Sequence, residues 1–181
     1  RMLRAIKYSA TTNAKMSFSL KQKIRHSSKL LGEISASRLT EELLKIINSP
    51  YASKIIYEAI DADLFMYLQP AAFSMIFDNK KIESSYMENL TKLDNLNQKE
   101  PKARLGKKLY YLIYDFVGTL TDWNKETDNK YSSTELYGKT WRECRNFILP
   151  MNPIRRELEY AVKSVLIDKG VSIKNLNKNQ K

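Results

Sequence analysis

Apolar residues recurring at helical spacing constrain this chain more than any other feature. Leu105, Leu109, Leu112, Ile113, Phe116 and Leu120 line one face of a 3.6-residue helix and no face of a strand. The same period returns in Leu39, Leu43, Ile46 and Ile47 behind a Ser35 or Ser37 cap, and in Ile55, Ile56, Ala59 and Ile60 behind Pro50. It returns again in Ile154, Leu158, Ala161, Val162, Val165 and Leu166, between Asn152-Pro153 and Gly170. Polar caps, proline in a first turn and glycine past a last one are the punctuation of helices. Ser19 and Ser133 are the expected caps of two more, over 20–31 and from 133 to Pro150. With only 5 glycines and 5 prolines in 181 residues, there is little material for a turn-rich β architecture. The expected fold class is therefore all-α, an irregular multi-helix assembly, with the polar run from Asn97 to Lys102 as its linker.

Charge narrows the partners. Lys and Arg number 31 against 20 Asp and Glu, a net +11, so the average surface attracts polyanions and nucleic acid is the first partner to consider. The same excess also suits a basic surface that binds nothing, because net charge reports on solubility and association. Cys144 is the one cysteine, which excludes an internal disulfide and a multi-cysteine zinc site. No apolar run approaches the roughly 18 residues that span a bilayer, and the first residues lack the apolar stretch of a signal peptide. The expectation is a cytoplasmic chain with no membrane partner, and an opening Arg1 in place of Met suggests a piece of something longer.

A search for reactive chemistry finds none. Asp61 and Asp63 have the spacing of a carboxylate pair for Mg²⁺, but no further ligand stands nearby and the pair reads as a helix end. Asp122, Asn124, Glu126 and Asp128 start like a Ca²⁺ loop, yet Thr127 stands where glycine is needed and Ser133 where a glutamate should close it. His26, the only histidine, lies in a lysine-rich stretch and reads as a solvated or phosphate-facing group. Cys144 falls on an apolar stripe and reads as a small buried hydrophobe. No catalytic residue and no metal site is expected.

Cations are placed more suggestively. Arg1, Arg4 and Lys7 recur every three residues opposite Leu3, Ile6 and Ala10, a stripe able to grip phosphates or a base edge, or a solvated face. Arg104, Lys107 and Lys108 crowd a helix start, where positive charge opposes the macrodipole unless an anion compensates it. Trp141 and Arg145 stand four residues apart with Arg142 beside them, an aromatic among cations suited to base stacking or to simple packing. Arg155 and Arg156, near Asn152, are open to the same two readings.

The opening Arg1-Met2-Leu3-Arg4-Ala5-Ile6-Lys7-Tyr8 resembles the neck helix of bacterial poly(A) polymerases and CCA-adding tRNA nucleotidyltransferases, whose pattern runs Glu-Asp-x-x-Arg-Met-Leu-Arg-Ala-x-Arg-Phe. The likeness continues through Ile24, Leu30, Leu31, Ile34, Ser35, Arg38, Leu39, Glu41, Glu42, Leu43 and Lys45, and into the segment from Leu64 to Pro70. The run from Arg145 to Pro150 also looks like a poly(A) polymerase tail. The resemblance implies neck helices over 1–31, a body over 32–96 and a C-terminal body and tail over 104–181.

It further implies that Arg1 reads the incoming nucleotide's base edge, with a family Asp that would precede it, and that Arg4 lies near the nucleotide phosphates or the RNA end. Lys7 replaces an arginine, and Asn13 and Ala14 stand where glycine and phenylalanine are common. RNA contacts are expected from Lys7, Arg38, Arg104, Lys107, Lys108, Trp141, Arg142, Arg145, Arg155 and Arg156. The family's metal-binding carboxylates belong to an N-terminal head missing here. Mg²⁺ and ATP are thus expected in the full-length enzyme and neither bound by this chain, which alone would be inactive. The implied function is the RNA-holding, nucleotide-reading part of a template-independent polymerase that adds AMP from ATP to RNA 3′ ends, of mRNA or tRNA. The alternatives are a CCA-adding fragment, a stand-alone helical RNA-binding protein, and a helical protein-interaction module whose basic patches are solvated.

Overall fold

The computed structural model describes residues 1–121 and 133–171. The rejected Ca²⁺ loop over 122–132, the Ser133 side chain expected to cap a helix and the basic stretch after Val171 lie outside what is described. Among the described residues there are helices and no strands. Helix α1 (Met2–Thr12) buries Leu3, Ile6 and Ala10 and ends on Asn13, whose φ of 55° is left-handed. Asparagine tolerates that conformation better than most residues, so the turn where the resemblance anticipates glycine is made without it.

Helix α2 (Phe18–Ser27) starts two residues earlier than Ser19 would set it, because the Ser17 hydroxyl accepts from the Leu20 N–H at 3.3 Å. It runs into a 3₁₀ turn, Ser28–Glu33, which winds more tightly than an α-helix and rotates the apolar face. Ile24 and Leu31 are buried, while Leu20, in the first turn of α2, and Leu30, in the 3₁₀ turn, both expected on the same inner face, are exposed.

Helices α3 (Ala36–Ile47) and α4 (Ala52–Asp61) bury the expected apolar faces, with Ser35 capping α3, but α4 starts at Ala52 after a Tyr51 N-cap, so Pro50 stands before the helix and not in its first turn. The short α5 (Phe65–Leu68) and α6 (Pro70–Phe77) lead to the 20-residue α7 (Lys80–Lys99), whose first turn is capped by Asn79, its Oδ1 accepting from the Lys81 and Ile82 N–H groups. Helix α7 is the spine: it packs on α4, α6 and α8. Asn97, expected to open a linker, lies inside α7 and is buried, and its amide donates to the carbonyls of Ile47 and Ser49 at 2.8 and 2.9 Å. The Ile47 carbonyl ends α3 and the Ser49 carbonyl lies just past it, so the polar residue satisfies acceptors that the helix end leaves free.

Helix α8 (Leu105–Ile113) stops short of its apolar stripe. Phe116 leaves the helix to stack on Phe147, ring centres 4.1 Å apart; Gly118 turns the chain at φ 96°, and Leu120 ends up exposed rather than in the core. Helices α9 (Ser133–Phe147) and α10 (Arg155–Asp168) complete the assembly. Helix α10 begins after Ile154, beyond the expected Asn152 cap, and ends at Gly170, whose φ of 80° is the left-handed stop its glycine foretells. The α8–α10 pair is the most extensive contact in the fold. Gly106 makes it close: a Cβ there would lie 2.8 Å from the Glu157 carbonyl oxygen and from Tyr160 Cδ1. No helix of the described residues is long and apolar enough to cross a membrane.

Candidate nucleic-acid interface

Helices α1 and α3 and the 3₁₀ turn enclose an open groove of about 470 Å³ lined by Arg1, Arg4, Lys7, Arg38 and Lys45 together with Glu41 and Glu42. The apolar face of α1 is spent on the core through Leu3 and Ile6, which leaves its cationic stripe facing outward into this space. Lys7 is the member that is held: its ammonium donates to Glu42 at 2.6 Å and ties α1 to α3. Burial works to raise the Glu42 carboxyl, but the ammonium groups of Lys45 and Lys7 outweigh it and keep it below its ordinary value. Lys45 takes Glu42, three residues back at 2.8 Å, as its hydrogen-bond partner, where sequence spacing favours Glu41. Arg1, Arg4 and Arg38 are exposed and make no ion pair with any described residue. Three unpaired guanidinium groups on one concave face present forked donors suited to phosphate oxygens or a base edge.

The second predicted cluster behaves differently. Arg104 precedes the first turn of α8, and its guanidinium donates twice to Glu157 of α10, at 3.1 and 3.0 Å, while lying 4.2 Å from the Tyr160 ring centre. Glu157 also accepts the buried N–H of Gly106 at 2.6 Å, capping α8 from another helix. The Arg104 hydrogen bonds hold the Glu157 carboxyl below its usual range, against the opposing pull of burial. Lys107 pairs with Glu100 at 2.9 Å. Lys108 is corrected outright: it is 1% exposed, and its ammonium bonds Asn48 Oδ1 at 2.6 Å and the Pro101 carbonyl at 3.3 Å. Desolvation lowers its pKa. The anion that positive charge at a helix start calls for is therefore a carboxylate of the chain itself, and Lys108 is spent on bonds inside the fold.

The third and fourth predicted clusters are one. Arg145 of α9 and Arg155 of α10 lie 5.6 and 5.7 Å from the Trp141 ring centre, so the structure joins residues that the sequence separates. Arg155 is answered by Glu159 at 2.7 Å, and Arg156 lies 3.7 Å from Glu157. Arg142 is exposed and, like Arg145, has no carboxylate partner among the described residues. Sequence reading misses Tyr137 and Lys163, which extend this patch with an ammonium 5.7 Å from the ring centre. Four-residue steps from Trp141 and from Arg155 are the signal that could have found them.

The tempting groups elsewhere are occupied. Asp61 accepts from Lys21 at 2.9 Å and from Arg25 at 3.1 Å, while its carbonyl receives two more Arg25 bonds. Burial pushes the Cys144 thiol up to about 12, which suits a packed side chain and not a nucleophile. His26 is exposed.

Residues 15–76 match the family described as "Probable RNA and SrmB- binding site of polymerase A". The chain is also similar to the "CCA-adding enzyme" of Geobacillus sp. (strain WCH70), 29% identical over 116 residues, which is 64% of this chain and 26% of that relative. It thus spans about a quarter of the relative's length. No solved structure matches the chain.

Proposed function

We propose, for a chain whose residues 15–76 match an RNA-binding region of polymerase A and which is similar to a CCA-adding enzyme, that it is the helical part of a template-independent RNA nucleotidyltransferase and holds RNA and the incoming nucleotide. The observation that carries this reading is the α1–α3 groove, where Arg1, Arg4 and Arg38 are open and unpaired. Guanidinium forks on a concave face bind phosphate or a base edge at little cost in competing ion pairs. Arg1 and Arg4 take the nucleotide and the RNA end; Arg38 extends the grip across α3.

Mg²⁺ and ATP belong to the same reading of the full-length enzyme. The residues described here do not fit the metal: no three of their acidic, histidine or cysteine side chains come together, and Asp61 is committed to Lys21 and Arg25. In this reading the metal-bound chemistry belongs to a catalytic head, this chain orients RNA and nucleotide, and the enzyme works in the cytoplasm.

Between the two activities of the family, the run from Arg145 to Pro150 favours addition of AMP from ATP, while the Geobacillus relative's name favours CCA addition. Assaying the full-length enzyme with ATP alone and with CTP plus ATP on a tRNA separates them, and obligatory use of CTP overturns the ATP-only preference. The RNA-holding role is tested by titrating labelled RNA with the wild-type chain and with an Arg4→Ala/Arg38→Ala variant. Loss of two phosphate contacts lowers affinity on the order of tenfold and reduces the slope of log affinity against log salt by about 1.4. Unchanged affinity and slope would remove the groove from the RNA path.

A further inference from the structure

Resting on that RNA-holding reading, we infer that the α9–α10 hairpin is a second phosphate grip on the same RNA, in which Trp141 is a post that holds Arg145 ready beside the exposed Arg142. The two helices present opposed stripes at four-residue steps: Tyr137, Trp141 and Arg145 on α9 against Arg155, Glu159 and Lys163 on α10. Cations from both helices converge on the α9 aromatics, and Glu159 answers only Arg155 by an ion pair. Arg142 and Arg145 remain exposed and unanswered among the described residues.

A guanidinium laid on an aromatic face is ordered without being neutralised, and its N–H donors stay free at the edge. The rotational freedom an arginine ordinarily loses on gripping a phosphate is thereby removed beforehand, which is preorganisation. Base stacking is the weaker reading of Trp141. Its ring already carries two guanidinium groups, and its Nε1 is buried without a partner. Trp141 is thus a positioning residue for Arg145; Arg145 and its exposed neighbour Arg142 make the contacts. Planar forks match the paired oxygens of a phosphate diester, and RNA supplies these in series where an acidic protein surface supplies scattered carboxylates.

The test is a fluorescence anisotropy titration of the 181-residue chain with labelled single-stranded RNA over a range of salt, each variant first checked by its thermal melt. Arg142→Ala/Arg145→Ala is expected to weaken binding on the order of tenfold and to lower the salt slope by about 1.4. Arg142→Lys/Arg145→Lys keeps the charge but loses the fork, and recovers only part of the affinity. Trp141→Leu, with no change in charge, weakens binding by about threefold, the cost of an Arg145 that must now be ordered on contact. If the alanine pair leaves affinity and slope unchanged while Arg4→Ala/Arg38→Ala loses both, the second grip is overturned and the RNA-holding reading survives. If neither pair alters binding, both fall. Full recovery by lysine, or equal competition by polyglutamate, also overturns the inference.

Discussion

The α1–α3 groove and the start of α8 are built from the same kinds of residue and end in opposite states. Each gathers three closely spaced cations, and each reads in the sequence as a place that wants an anion. At the start of α8 the anion is Glu157, supplied from α10 at a separation of 53 residues. In the groove the nearby carboxylate, Glu42, is shared by Lys7 and Lys45, and the arginines are left over. Local spacing thus reveals a demand for negative charge, while tertiary packing decides whether the chain or a ligand meets it.

The contrast is broken most severely at Gly106. A methyl group there meets backbone and an aromatic ring at 2.8 Å, so α8 and α10 must part. Gly106→Ala is expected to cost about 2 kcal/mol by overpacking, a fall of roughly 4–8 °C in melting temperature for a chain of this size. RNA affinity of the folded variant stays unchanged; a parallel loss of affinity would mean that the start of α8 serves RNA after all.

Glu157→Gln comes next, at about 1.5 kcal/mol near neutral pH, because the Gly106 N–H and Arg104 lose their charged acceptor. Its pH dependence has a definite sign. The folded carboxyl titrates below its ordinary 4.5, so its contribution is present above about pH 4.5 and is lost as pH falls through the lower folded value. Urea unfolding across that window should show wild type and variant converging in acid. A gap that persists in acid would mean that Arg104 is not the partner holding the charge.

How much of this was readable beforehand follows the range of the interactions. Helix positions depend on period and on caps a few residues away, so α3, α4 and the Gly170 stop are legible in the sequence. Leu30 and Leu120 are misread because a 3₁₀ turn and a glycine turn break the period that places them inside, and Leu20 because it falls in the first turn of α2, where it stays exposed. The site divides along the same line. The outward stripe of Arg1 and Arg4 follows from α1 alone, whereas the fates of Arg104 and Lys108 depend on Glu157 and Asn48, which no local pattern connects to them. Trp141 and Arg155 join only because α9 packs on α10.

Glu42→Gln sharpens the contrast from the other side. It releases Lys7 and Lys45 from their shared carboxylate and raises the groove's charge by one. RNA affinity should rise by about threefold at low salt, with a steeper salt slope. A fall in affinity would show that the tie between α1 and α3 matters more to the groove than its charge does.

The smallest expected effect is the most pointed. Lys108→Met removes a cation from a cluster that local charge alone assigns to RNA, at a position that is 1% exposed. The thioether chain has nearly the same length, so packing is conserved, and removing an ammonium from an interior offsets the lost bond to Asn48. Asn48 is itself exposed, so water can take over its oxygen. Stability should change by less than about 1 kcal/mol, and RNA affinity and salt slope should not move, although the net charge drops by one. A lysine that touched phosphate would instead lower the slope by about 0.7. Such a drop would show Lys108 leaving its bond to Asn48 to reach RNA, and the two regions would no longer differ in kind.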